Sequence, residues 1–213
     1  MSPEIHRFFR QPAIVELLRH CRRCRYRANS TLVHQGMPSD RLFLILKGSV
    51  SVIEEDDDDG RELILAYLNP GDFVGEMGLF GETPTRSAWI RTRGECDLAE
   101  ISYRRFAQLQ HQEPDIVYPL VEQIVQRLRQ TSQRFRNFAF EDVRGRVIAM
   151  LHELAGQPDA MTHPDGMQIR VTRIELGRLV GCSREMVGRV LRDLEIDKLI
   201  TASGRQIVVF GTR

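Results

Sequence analysis

Hydrophobic and polar positions change period twice along the chain. In residues 1–22, Ile14, Leu17 and Leu18 are spaced for one buried helical stripe. From Tyr26 to Tyr103 the period shortens. Arg41–Lys47, Ser49–Ile53, Glu62–Leu68 and Ala88–Thr92 are short β-rich runs, punctuated by Gly36, Gly48, Gly60, Gly71 and Gly94. Many short strands at even spacing predict a sandwich or barrel. The acidic run Glu54–Asp59 closes on Asp59-Gly60 between two strand patterns, which predicts a solvated hairpin turn rather than a metal site.

A long helix follows. After Pro114-Asp115, the residues Ile116, Val117, Leu120, Val121, Ile124, Val125, Leu128, Phe135 and Phe138 share one face at about 100° per residue. At about 1.5 Å per residue the rod is roughly 35 Å long, more than one small β-domain covers, so a second copy of the chain is its expected partner. Thr131 and Ser132 fall on this apolar stripe, where hydroxyls need partners. The bland alternative is that they bond back to helix carbonyls. Pro119 is tolerable only within about the first turn, so the helix is expected to start there or one turn later.

Beyond Asp142 the pattern predicts a helix, a Pro/Gly-rich loop over Gly156–Gly166, two short helices and a β-rich tail. Thr172-Arg-Ile-Glu175 reads as a capping box opening a helix that carries Leu176, Leu179 and Val180. Gly181-Cys182 breaks that helix and Ser183 caps the next, the spacing of a helix-turn-helix. Around the second helix, Glu185, Gly188, Arg189 and Arg192 fall between about 40° and 140° from Arg184, and Met186, Val187, Val190, Leu191 and Leu194 occupy the other arc. Arginine grips guanine O6 and N7, and glutamate accepts from cytosine N4, so the polar arc suits base reading. A solvated face is the alternative; the two caps, the Gly turn and the downstream hairpin Leu199–Phe210 favour DNA.

Composition adds little until it is localised. The 213 residues are 28% charged and 42% hydrophobic, ordinary for globular proteins and against disorder or fibrous repeats. Thirty basic against 29 acidic residues leave +1 overall, yet Gly166–Arg213 holds nine basic and five acidic residues. Only Lys47 and Lys198 are lysines, so nearly all positive charge is the forked guanidinium suited to phosphate or guanine. No run approaches a membrane span and Met1–Arg10 lacks a signal-peptide core, so a cytoplasmic protein without membrane contact is expected. Cys21, Cys24, Cys96 and Cys182 read as reduced thiols.

The segment Gly71-Asp-Phe-Val-Gly-Glu-Met-Gly-Leu-Phe80, followed by Thr85-Arg-Ser-Ala-Trp89, places two glycines and a glutamate a short loop from an Arg-Ser pair. Amides freed by Gly75 and the guanidinium of Arg86 suit a phosphate. The Ser87 hydroxyl adds a donor, and Glu76 suits a ribose 2′-OH.

With His34-Gln-Gly36, Leu46–Val50, Ala99–Tyr103, Gln157–Gln168, Val180–Arg189 and Gly211-Thr-Arg213, these motifs resemble the cyclic AMP receptor (catabolite activator) family of bacterial transcription regulators, from about residue 20 to the end. The resemblance implies an α+β chain. Its expected parts are a cyclic-nucleotide-binding, cupin-like β-roll over 1–114, a dimerisation helix and hinge over 115–141, and a winged helix-turn-helix over 142–213. It also implies a cytoplasmic homodimer with cyclic AMP as allosteric effector, held by Gly75, Glu76, Arg86, Ser87 and Thr131, with Ser132 reaching from the other subunit. Palindromic TGTGA-type double-stranded DNA is expected to meet Arg173, Ser183, Arg184, Glu185, Gly188 and Arg189. RNA polymerase is expected to meet Thr162 and His163, and a basic surface carrying Arg22 and Arg105.

Three rivals keep part of this picture. Cys21-x-x-Cys24 suggests an iron–sulfur sensor but lacks the further cysteines such a cluster needs. Relatives responsive to cyclic di-GMP share much of the sequence, although the intact Arg86-Ser87 pair argues for cyclic AMP. A cupin metalloenzyme would need several histidines inside the roll, where only His34 is available.

Overall fold

The computed structural model describes residues 3–56, 58–80 and 85–212. Asp57 of the acidic run and the terminal Arg213 lie outside them. The chain divides into two compact units, Met1–Leu128 and Arg129–Arg213.

The first unit opens with α1 (Pro3–Phe8) and α2 (Pro12–Arg19), followed by β1 (Arg22–Tyr26), β2 (Thr31–Val33), β3 (Arg41–Lys47), β4 (Val50–Glu55), β5 (Glu62–Leu68) and β6 (Phe73–Val74). Then come α3 (Met77–Phe80), β7 (Trp89–Thr92), β8 (Cys96–Ser102), α4 (Tyr103–Gln112), a 3-10 turn (Pro114–Ile116) and α5 (Val117–Phe140), whose residues from Arg129 onward belong to the second unit. Two four-stranded antiparallel sheets, ordered β1-β8-β3-β6 and β2-β7-β4-β5, share a core of Val33, Phe43, Ile45, Val50, Leu68, Val74, Ile90, Cys96 and Leu98.

The strand β3 explains its own unbroken apolar run. Phe43 and Ile45 face the second sheet, whereas Leu42 and Leu44 pack with Ile14, Leu17, Phe106, Leu109, Ile116 and Leu120 of the helices. A strand covered on both faces reads as continuous rather than alternating.

Four strands of this unit, β1, β2, β6 and β8, lie outside the runs that the sequence pattern singled out. The strand β1 ends at Tyr26, where the sequence pattern places the start of the β-rich region, and contains three arginines; it is held by antiparallel pairing with β8, from Arg22↔Glu100 to Tyr26↔Cys96. Within β8, the polar Asp97 and Glu100 interrupt alternation.

The long helix begins at Val117, with Pro119 inside its first turn, where a missing N–H costs nothing. Its apolar stripe divides: Ile116 and Leu120 are buried, whereas Leu128 and Phe135 are 65% and 73% exposed, and Val121, Ile124, Val125 and Phe138 are exposed as well.

The second unit contains α6 (Val143–Ala155), β9 (Met161–His163), β10 (Gly166–Arg170), α7 (Arg173–Val180), α8 (Arg184–Ile196), β11 (Ile200–Ser203) and β12 (Gln206–Phe210). The expected loop over Gly156–Gly166 is only partly a loop, because Met161–His163 pairs antiparallel with Gly166–Gln168. That pairing completes a sheet ordered β11-β12-β10-β9 beside the three helices.

Candidate nucleotide and DNA sites

The nucleotide candidates converge in the first unit. Gly75 has φ +87, a region L-residues avoid, and a methyl group there would collide with Arg86 Nη1 and lie 2.8 Å from the Arg41 carbonyl oxygen. The absent side chain is therefore what lets the guanidinium lie against the loop backbone.

Arg86 is anchored through its main chain, with its N–H donating to Met37 O at 2.9 Å and its carbonyl accepting from Gly36 N at 2.8 Å. Its Nη2 donates to Arg41 O at 3.0 Å, and its Nη1 is buried with no acceptor among the described residues. The Ser87 side chain is exposed, with its hydroxyl donating to Met77 Sδ at 3.3 Å, a weak acceptor that an oxyanion readily replaces.

Glu76 is buried, and its Oε1 accepts from Arg127 Nη1 at 2.7 Å. Arg127 Nη2 also donates to Phe73 O and, at 3.0 Å, to Gln123 Oε1, while its Nε is buried without a partner among the described residues. Thus, among the described residues, two guanidiniums of this unit keep buried donors unanswered, Arg86 at Nη1 and Arg127 at Nε, which leaves them able to receive an anion.

Arg127 and Gln123 were not legible in the sequence. They lie about 50 residues from their partners, on a helix face where polar residues look like ordinary solvated ones.

The loop is braced from behind as well. Tyr103 OH bonds both Gly75 O and Ser39 Oγ, and a methyl at Gly78 would press on that pair. His34 packs against Trp89 with ring centroids 4.8 Å apart and the ring planes tilted by 59°. Thr131 and Ser132 are exposed on α5 and belong to the second unit.

The DNA candidates share the second unit. Thr172 Oγ1 accepts from Glu175 N at 3.1 Å while Glu175 Oε2 accepts from Thr172 N at 3.0 Å, the full capping box. Gly181 closes α7 at φ +67, and Ser183 Oγ caps α8 by accepting from Met186 N at 3.2 Å. Val187, Val190, Leu191 and Leu194 are buried, whereas Ser183, Arg184, Glu185, Arg189 and Arg192 are exposed, as the helical wheel predicts.

The Glu185 carboxyl is held below the usual range, first by its own backbone N–H, then by the Ser183 hydroxyl, with Arg184 and Arg189 adding to the effect. It is an obligate acceptor at neutral pH. Arg173, exposed at the start of α7, reaches Gly188; a methyl there would lie 3.7 Å from Arg173 Nη1.

The remaining surface candidates are scattered. Thr162 is exposed on β9, and His163 is half-buried with Nδ1 accepting from Asp165 N at 3.3 Å. In the first unit, Arg22 is exposed and donates to Glu100 at 3.4 Å, and the exposed Arg105 donates to His20 Nδ1 at 2.9 Å. Burial pushes the Cys21 thiol up to about 12, and Cys24 Sγ bonds Glu100 Oε2 at 3.4 Å.

Residues 23–113 match the cyclic nucleotide-binding domain and residues 169–200 match the bacterial regulatory proteins of the crp family. The cAMP-activated global transcriptional regulator Vfr of Pseudomonas aeruginosa is 55% identical over 93% of this chain and 94% of its own length. The chain belongs to the Crp family of bacterial regulatory proteins. A second family member, the cAMP-activated global transcriptional regulator CRP of Salmonella typhimurium, is 53% identical over 95% of this chain and 96% of its own.

Among solved Crp-family structures, the c-di-GMP responsive global regulator CLP of Xanthomonas campestris superposes with a TM-score of 0.86 at 46% identity, covering 94% of this chain and 99% of that one. These relatives are regulators, and the chain is a transcription regulator rather than an enzyme. No helix among the described residues is long and apolar enough to cross a membrane.

Proposed function

We propose that the protein is a cytoplasmic, homodimeric transcription regulator that binds cyclic AMP in its first unit and palindromic TGTGA-type DNA through α8, and that contacts RNA polymerase. The carrying observation is the Arg86 guanidinium, whose buried Nη1 has no acceptor among the described residues, beside a glycine whose methyl would displace it. A cyclic phosphate fits there: Arg86 would supply charge and two directed donors, Ser87 a third, and the Gly75 loop a backbone without steric cover. Glu76 Oε2 is left to accept from a ribose hydroxyl while Arg127 holds Oε1.

The exposed Leu128, Phe135 and Phe138 of α5 supply the apolar seam for a second copy, and Thr131 and Ser132 on that helix supply hydroxyls for a base. The domains follow as 1–114 for the sensor, 115–141 for the dimer helix and hinge, and 142–213 for the DNA reader. Arg184, Glu185 and Arg189 read base edges, with Arg173, Ser183 and Gly188 placing the helix against the backbone. Thr162, His163, Arg22 and Arg105 form the polymerase-facing surfaces.

The effector acts by favouring the DNA-competent state, a coupling of about 1–3 kcal/mol. Titration with cyclic AMP, cyclic GMP and cyclic di-GMP, followed on a labelled palindromic duplex at fixed salt, tests this. Native protein is expected to respond to cyclic AMP and Arg86→Leu to remain a folded dimer without response. Undiminished cyclic-AMP-dependent DNA binding by Arg86→Leu refutes the pocket assignment.

A further inference from the structure

One side-chain amide on α5 spends its whole hydrogen-bonding capacity on the effector loop and its arginine. Gln123 Oε1 accepts from Phe73 N at 2.7 Å and from Arg127 Nη2 at 3.0 Å. Gln123 Nε2 donates to Asp72 Oδ1 at 2.7 Å and to Gly71 O at 3.3 Å. A glutamine offers two lone pairs and two N–H groups, and all four are engaged. The partners are the segment that runs directly into Gly75-Glu76 and the guanidinium that clamps Glu76.

Asp72 completes the arrangement. Its other oxygen accepts from Asn69 N at 2.6 Å. Burial raises its carboxyl, while the Asn69 N–H and Arg127 draw it down. A neutral amide donor from Gln123 thus sits where a second carboxylate would be repelled.

We propose that Gln123, through its bond to Asp72, is a positioning residue that sets effector affinity by aiming Arg127 and the loop 71–76. This rests on the cyclic AMP assignment above, and it adds a polarity rule to it: one member of the 72/123 pair must donate and the other accept. Gln123→Glu keeps size and both acceptor roles but sets two carboxylates face to face. The exchange Gln123→Glu with Asp72→Asn restores one donor and one acceptor across the 72/123 contact at unchanged net charge, leaving unmade only the 3.3 Å bond to Gly71 O, and the new amide oxygen at position 72 can still accept from Asn69 N.

Calorimetric titration of the full-length protein with cyclic AMP gives Kd for native, Gln123→Glu, Asp72→Asn and the exchanged pair, and thermal melts without nucleotide record folding. Loss of the aligned charged contact is expected to raise Kd about tenfold in Gln123→Glu. The exchanged pair is expected to return to within about threefold of native, since the 72/123 contact is rebuilt and only the longer bond to Gly71 O stays lost. A Kd for folded Gln123→Glu within twofold of native overturns the proposal, and so does a weakened Kd that the exchange fails to restore. If Gln123→Glu does not fold, native binding by the exchanged pair still supports the rule and weak binding by that pair overturns it. Absence of cyclic AMP binding by the native protein instead refutes the assignment on which the proposal stands.

Discussion

Gly75→Ala separates the backbone role of the effector loop from its role as a berth for Arg86. The position has φ +87, and holding an alanine on the left-handed side costs about 1–2 kcal/mol. For a chain of this size that loss lowers Tm by about 2–8 °C. The methyl would also occupy the place of Arg86 Nη1, with Arg41 O at 2.8 Å closing the other side, so the guanidinium must leave. A hydrogen bond to a charged group contributes about 1.5–3 kcal/mol, so displacement raises the cyclic AMP Kd about 10- to 150-fold. Gly60→Ala is the matched control: it too lies at positive φ, +65, but its nearest neighbour would be Glu55 Oε1 at 3.7 Å. It should lose comparable stability and keep affinity. Calorimetric titration and thermal melts of both variants give the two numbers, and native-like cyclic AMP affinity in Gly75→Ala would refute the claim that this glycine exists to admit Arg86.

Three further outcomes are expected. Burial raises the Glu100 carboxyl, but its bonds with Arg41 and Cys24 and the charges of Arg41 and Arg22 prevail and leave it below the usual range. Its stabilising contribution is therefore complete above the unfolded carboxyl value of 4.5 and lost as pH falls through the lower folded value; Glu100→Gln should flatten that part of the acid-unfolding profile, and parallel native and variant profiles would contradict this. Arg189→Ala should weaken binding to the preferred half-site by about 1–3 kcal/mol and relax preference at one base pair, whereas a loss that is uniform across duplexes would make Arg189 a phosphate contact. Leu128→Glu should yield monomers by light scattering coupled to gel filtration, since it places charge within the exposed seam of α5; a persistent dimer would move the interface elsewhere.

What the sequence disclosed follows from where the controlling contacts lie. The capping box at Thr172–Glu175, the turn at Gly181 and the cap at Ser183 depend on neighbours within four residues, and each was legible. The polar arc of α8 was legible because its opposite face is buried against one small core. By contrast β1 has almost no apolar residues and exists because β8 pairs with it some 70 positions away. Likewise β9 was hidden in a Pro/Gly-rich stretch whose hairpin partner, not its composition, makes it a strand. At the effector site the loop chemistry was visible, while Gln123 and Arg127 were not, because charged and amide residues on a helix carry no mark of the distant backbone they hold.

The close fit at Gly177 limits what any messenger can do to the reading head. A methyl there would stand 2.6 Å from the Cys182 carbonyl oxygen, so the first helix of the pair is seated directly on the turn that launches the second. Tilting α7 against α8 would have to open or compress this contact, so the expected response to a signal is movement of the two helices together. On the proposed function, cyclic AMP should therefore alter how tightly the paired chains grip their operator and leave untouched which letters each half prefers.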